Sequence, residues 1–185
     1  MRRDRLSRKL AVILHADVVG STSLVQKNET LAHERIQSAF NSFSKTISSY
    51  GGIAREIRGD ALVAEFERAS DAVTAALAFQ RANEETNSTL GDEIRPKLRI
   101  GISLGEVIAA DNTITGAGVV LAQRVEQLSE PGGVVVQGSV SETVPVRMPF
   151  SYESLEEQQL KGFDQPVRAL FVDSPRQYRV TSSGR

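Results

Sequence analysis

Two aspartates carry the strongest chemical signal in the sequence. Asp17 lies near the end of the apolar run Leu10-Ala-Val-Ile-Leu-His-Ala-Asp-Val-Val19, and an ionised carboxylate at the end of a buried strand is costly unless a cation faces it. A metal ion is the simplest such cation. The alternative is an aspartate that caps the following turn through Ser21 or Thr22. Asp60 follows Gly59 between two short apolar-rich runs, Ile53 to Arg58 and Ala61 to Phe66, which predicts a hairpin with Asp60 at its tip. Alone, Asp60 needs no explanation beyond that turn. As a pair at the tips of adjacent central strands, the two carboxylates form the oxygen-rich clamp that Mg²⁺ prefers when it also holds substrate phosphates. Directly after Asp17, the segment Val18-Val-Gly-Ser-Thr22 offers a glycine for close backbone approach and amides at a helix start. It is either a phosphate cradle or an ordinary strand-to-helix turn.

The elements that must hold these residues follow from the apolar pattern. Leu10 to Val19 is nearly continuous in apolar and β-branched residues, as in a strand buried on both faces. Leu31, Ile36, Phe40, Phe43 and Ile47 fall at helical spacing, stopped by Gly51-Gly52. The hairpin comes next, and Ser70 is placed to cap a second helix with Val73, Ala76 and Leu77 on its inner face. Lys97 to Leu104 and Glu106 to Ala110 read as a strand pair around Gly105, followed by a helix over about Gly118 to Leu128 and a strand at Val134 to Val136. The expected class is α+β, a ferredoxin-like βαββαβ core, with extra C-terminal strands near Phe150 to Tyr152 and Val167 to Val172. The domain is expected over 9–173, with a tail at 1–8 and a linker or tail at 174–185.

Composition narrows the function classes. Among 185 residues, 22 Lys and Arg against 23 Asp and Glu leave a net charge of −1, so neither nucleic acid nor an anionic membrane is expected as a bulk electrostatic partner. The absence of cysteine removes disulfides, thiolate metal sites and thiol nucleophiles. The basic start before an apolar run imitates a signal peptide, but His15 and Asp17 interrupt that run, and its length is well short of the roughly 20 residues that span a bilayer. A cytoplasmic domain without membrane contact is expected. His15 and His33 show no carboxylate or serine partner at useful spacing and read as core or surface residues.

Five segments in order, Ala16 to Thr22, Arg58 to Phe66, Arg99 to Val107, Gly116 to Glu126 and Gln159 to Gly162, resemble the successive blocks of class III nucleotidyl cyclase catalytic domains, closest to the bacterial adenylate/guanylate cyclase group. The resemblance implies a head-to-tail homodimer with active sites at the interface and two Mg²⁺ or Mn²⁺ ions in each. Matched position by position, Asp17 and Asp60 are the metal-binding aspartates, and the Val18 carbonyl is the main-chain metal ligand. Gly20, Ser21 and Thr22 form the phosphate-holding turn, Arg124 contacts the phosphates at the transition state, and Lys161 neutralises the triphosphate. Glu56 and Thr113 occupy the base-selecting positions. A carboxylate accepts from guanine N1–H and the exocyclic amine but cannot bond adenine N1, so the pair leans toward GTP over ATP.

Two departures weaken the match. Val120 stands where the family has an asparagine that orients the ribose, and Glu106 stands where some members place a phosphate-binding arginine. The expectation is a cyclase forming a 3′,5′-cyclic nucleotide and pyrophosphate for intracellular signalling. Its rival is a catalytically degenerate domain that binds nucleotide or serves as a dimerisation module.

Overall fold

The computed structural model describes residues 6–174. Most of the expected tails at 1–8 and 174–185 lies outside that range. The chain runs β1 (Ser7–Val18), α1 (Ser21–Lys27), α2 (Glu29–Ser49), β2 (Ile53–Arg58), β3 (Ala61–Phe66), α3 (Ala69–Ser88), β4 (Leu98–Ala110), β5 (Thr113–Thr115), α4 (Ala117–Glu126), β6 (Val134–Gln137), α5 (Gly138–Thr143), β7 (Ser151–Gln158) and β8 (Val167–Asp173). One mixed sheet has the order β2-β3-β1-β4-β6-β8-β7, with β5 paired to β4. The first four strands therefore give the split βαβ order expected from the sequence, and β6 to β8 extend the sheet at one edge.

β1 is mostly apolar from Ala11 onward because both faces are covered there. Val12, Leu14, Ala16 and Val18 join Phe40, Phe43, Ala76 and Phe79 in the larger core under α2 and α3, where the Phe43 and Phe79 rings stack at 4.1 Å. Ala11 and Ile13 face the other way, into a smaller core with Val63, Val107, Ile114 and Ala122 under β5 and α4.

Three local expectations are corrected. The single helix expected after Gly20 is two, because Asn28 adopts an extended conformation and caps α2 by accepting from the Leu31 amide at 3.1 Å. α3 begins at Ala69 with Arg68 as its cap residue and no side-chain cap, so Ser70 lies inside the helix. α3 runs to Ser88, and near its end Asn83 and Asn87 both donate to the Pro96 carbonyl at 2.9 and 2.8 Å. β4 is one continuous strand through Gly105, and its hairpin partner is β5.

Gly105 serves packing rather than turning. A Cβ there would lie 3.0 Å from Gly118 Cα, and at Gly101 it would lie 2.3 Å from the Glu126 amide nitrogen and 2.5 Å from the Ala122 carbonyl oxygen. The Ser103 hydroxyl also donates to the Gly118 carbonyl at 2.8 Å. Helix α4 thus rests on β4 backbone to backbone. Gly101→Ala is expected to cost about 1–3 kcal/mol, because its neighbours there are main-chain atoms that cannot rotate aside. Urea unfolding measures it, and wild-type stability would refute so tight a seat.

Candidate active site

Strand pairing fixes which side chains share the α4 face. Arg58, Ala61, Asp17 and Arg99 form one cross-strand row, and Glu56, Val63, His15 and Gly101 form the next. At the end of β1 the Val18 amide donates to the Asp60 carbonyl at 2.9 Å, which places the hairpin tip beside the strand terminus. Gly20 takes a left-handed conformation with φ 61°, which a glycine adopts at little cost. The chain then enters α1, and the Ser21 hydroxyl donates to Asp60 Oδ2 at 2.8 Å. Asp17, Val18, Gly20, Ser21 and Asp60 are therefore gathered at one corner, with Thr22 exposed one residue further on.

Asp17 is the perturbed member of this corner. Burial and the neighbouring Glu126 carboxylate push its pKa up from the ordinary 3.8 to about 6, against the opposing pull of Arg99 and His15. Arg99 Nε stands 3.5 Å from Asp17 Oδ1, an ion pair without a hydrogen bond, since Oδ1 is buried and has no hydrogen-bond partner.

Those observations test whether a divalent cation fits. The unsatisfied buried Asp17 oxygen, the Asp60 carboxylate at the same corner and the Val18 carbonyl would offer an all-oxygen donor set, which suits a hard ion. Among the described residues no group of three or more His, Cys, Asp or Glu side chains could hold a metal by itself. Two carboxylates completed by substrate phosphates and water is the pattern Mg²⁺ commonly takes.

The cationic pair sits elsewhere on the chain. Half-buried Arg124, in the last turn of α4, donates from Nε to the Lys161 carbonyl at 3.3 Å, and buried Leu160 packs with Leu121 and Val125 beneath that contact. The structure therefore brings Arg124 and Lys161 together. Glu56 and Thr113 bond separately. Glu56 pairs with Arg58, and the Thr113 hydroxyl donates to the Ala110 carbonyl at 3.0 Å. Val120 is 41% exposed on α4, and Glu106 pairs with Arg8 at 3.3 Å. A separate cleft of about 960 Å³, lined by residues including Gln80, Arg81, Tyr152 and Phe171, shares none of these groups.

The expectation that His15 lacks a carboxylate partner is corrected, because its Nδ1 lies 3.4 Å from Glu126 Oε1. Glu126 itself was not expected. Its sequence signal is position: it follows Ala122 by four residues and Leu121 by five, on the buried stripe of α4.

Comparison with known proteins identifies the family. The model of the adenylate and guanylate cyclase catalytic domain matches residues 7–174. A putative adenylate cyclase 3 of Rhizobium meliloti is 30% identical over 177 residues, covering 95% of this chain but only 30% of the relative. An uncharacterised Mycobacterium tuberculosis protein is 31% identical, with 88% of this chain matching 55% of that protein, so the chain spans well under two thirds of these relatives. An adenylate/guanylate cyclase/hydrolase from Silicibacter pomeroyi superposes with a TM-score of 0.82 at 30% identity, over 90% of this chain and 98% of that one. The adenylyl cyclase CyaB of P. aeruginosa does so with 0.79 at 25% identity, over 92% and 97%. Family match and fold together show that the chain belongs to the adenylate and guanylate cyclase catalytic domain family.

Proposed function

We propose that this chain is a homodimeric, divalent-cation-dependent nucleotidyl cyclase that converts a nucleoside triphosphate, with GTP favoured, into its 3′,5′-cyclic monophosphate and pyrophosphate. The observation that carries this is the pair Asp17 and Asp60 at adjacent strand ends, with Asp17 Oδ1 buried and unsatisfied. Asp17, Asp60 and the Val18 carbonyl would hold two Mg²⁺ or Mn²⁺ ions, which when bound supply Lewis-acid stabilisation and acidify the ribose 3′-hydroxyl. The 3′-oxygen then forms its bond to the α-phosphorus as the bond to the bridging oxygen breaks. Pyrophosphate leaves, and the hydroxyl proton passes to solvent. Gly20, Ser21 and Thr22 receive the β- and γ-phosphates. Arg124 and Lys161 of the partner subunit balance the charge that moves onto the leaving group, one as a planar fork and the other as a point charge. A nucleoside triphosphate substrate supports a cytoplasmic reaction.

Base choice rests on Glu56. Guanine offers N1–H and an exocyclic amine to the two carboxylate oxygens, and its O6 accepts from a donor beside them. With the Thr113 hydroxyl turned to Ala110, that donor is Arg58, already paired to Glu56. Adenine engages one carboxylate oxygen and one donor, a smaller set. Glu56→Lys is expected to turn the product ratio from cyclic GMP toward cyclic AMP by about tenfold or more. Equal ratios in variant and wild type would remove Glu56 from base selection.

The experiment for the whole proposal is mass spectrometry of product from purified protein with Mn²⁺ and ATP or GTP, at a concentration that favours the dimer. Cyclic GMP is expected. The second reading, a nucleotide-binding or dimerisation module without turnover, is favoured by the apolar Val120 on α4. Neither cyclic product from a dimer with confirmed metal binding would establish it.

A further inference from the structure

Beneath the metal corner lies a buried ionic cluster that the mechanism above does not use. Glu126 has a side chain only 1% exposed, and both of its carboxylate oxygens lack hydrogen-bond partners, as do His15 Nδ1, Asp17 Oδ1 and Arg99 Nε. Arg99 Nε stands between two acids, 3.5 Å from Asp17 Oδ1 and 3.7 Å from Glu126 Oε2. One strand row away the same face shows how this fold satisfies a buried acid. Glu65 is bonded by Arg55 at 3.0 Å and paired with Lys9, and these partners outweigh burial to hold its pKa below the ordinary value. Glu126 has no hydrogen bond of that kind, only His15 Nδ1 at 3.4 Å and the shared Arg99 Nε at 3.7 Å, although a buried charge without close partners costs several kcal/mol. Glutamine would fill the same space, so packing alone does not account for an acid here.

We infer that Glu126 is a positioning residue for the cation site: its buried carboxylate shares the Arg99 guanidinium with Asp17, keeping Asp17 Oδ1 free for a divalent ion. This rests on the cyclase reading of Asp17. Geometry gives the inference its sign. With Glu126 neutral, Arg99 has one acid left to pair with and closes on Asp17 in competition with the metal. With Arg99 neutral, the corner loses a positive charge and binds the metal at least as well. Gly101 and its neighbours make the arrangement rigid, because the Glu126 backbone rests directly on β4.

The test is Mn²⁺ binding to the whole chain, without nucleotide, by electron paramagnetic resonance at pH 8. Glu126→Gln is expected to weaken Mn²⁺ about tenfold, the scale of one close charge in a partly buried setting, with its urea midpoint unchanged or raised. Arg99→Gln is expected to bind Mn²⁺ as tightly as wild type or up to several-fold tighter, and in its background Glu126→Gln is expected to cost under about threefold. Wild-type affinity in Glu126→Gln, weakened binding in Arg99→Gln, or the same tenfold loss with Arg99 absent overturns the inference. Should Glu126→Gln fail to fold, the Arg99→Gln affinity decides by itself. If wild-type protein shows no saturable Mn²⁺ binding, or Asp17→Asn leaves that binding intact, the inference falls, and the product assay above decides the cyclase reading separately. Asp17-dependent binding that ignores Glu126 overturns the inference alone.

Discussion

Asp17→Asn is expected to lower cyclic nucleotide formation by at least about 10³-fold while making the fold more stable. The activity loss follows from removing an anionic oxygen that the divalent ion needs, since a neutral amide is a poorer ligand for a hard cation. The stability gain follows from the raised pKa. Asp17 titrates near 6 in the folded chain against an ordinary 3.8, so between those values the unfolded chain ionises first. Stability falls as pH rises through that window, and the full cost is present above about pH 6. Asp17 is only half buried, so solvent screening reduces that cost to about 1–2 kcal/mol at pH 8, or roughly 2–8 °C in melting temperature for a chain of this length. Melting curves of the two proteins should separate at pH 8 and converge below about pH 3.8. Asp60→Asn is expected to match the activity loss. Turnover within tenfold of wild type in either variant would sink the proposed mechanism, and the stability data exclude misfolding as the cause of a loss.

Val120→Asn is expected to raise kcat by about 10²-fold with little change in KM. A preorganised polar group that meets the transition state is worth on the order of 10²–10³ in rate, and the resemblance of the sequence sets Val120 where an asparagine of that kind is expected. The substitution is a clean test because Val120 is 41% exposed in the middle of a helix, and Val and Asn differ little in helix propensity. Improved turnover would identify wild type as a slow cyclase limited at one position. Unchanged turnover in a folded, metal-binding variant would show that the deficit lies elsewhere, and Glu106 with its Arg8 partner becomes the next substitution to make.

Local sequence carried the fold where one rule acted alone. β1 was legible because burial on both faces demands a continuous apolar run, and the β2–β3 hairpin was legible because Gly59-Asp60 separates two apolar runs. Gly105 misled because a glycine between apolar runs has two uses, to turn the chain or to admit another backbone, and only the location of α4 distinguishes them. Asn28 is similar: a polar residue within a helical stretch can sit on the surface or restart the helix as a cap. In the site, the residues of the β1 corner lie within one strand, its following turn and its neighbouring hairpin, so short-range pattern reached them. The Glu126 carboxylate meets His15 and Arg99 across long sequence separations, and no spacing rule spans those distances. Arg58 beside Glu56 was in plain view in the chain, but its pairing required knowing that both project from the same face of β2.

The glycine contacts under α4 have a mechanical consequence. A helix cushioned by side chains can slide or tilt as rotamers change, but one resting on main-chain atoms at Gly101, Gly105 and Gly118 has no such compliance. Arg124, Val120 and Glu126 therefore travel with the sheet as one rigid block. In the homodimer proposed above, a signal that modulates the domain would act by turning whole subunits against each other, with the fixed corner of one approaching or leaving the fixed helix of the other.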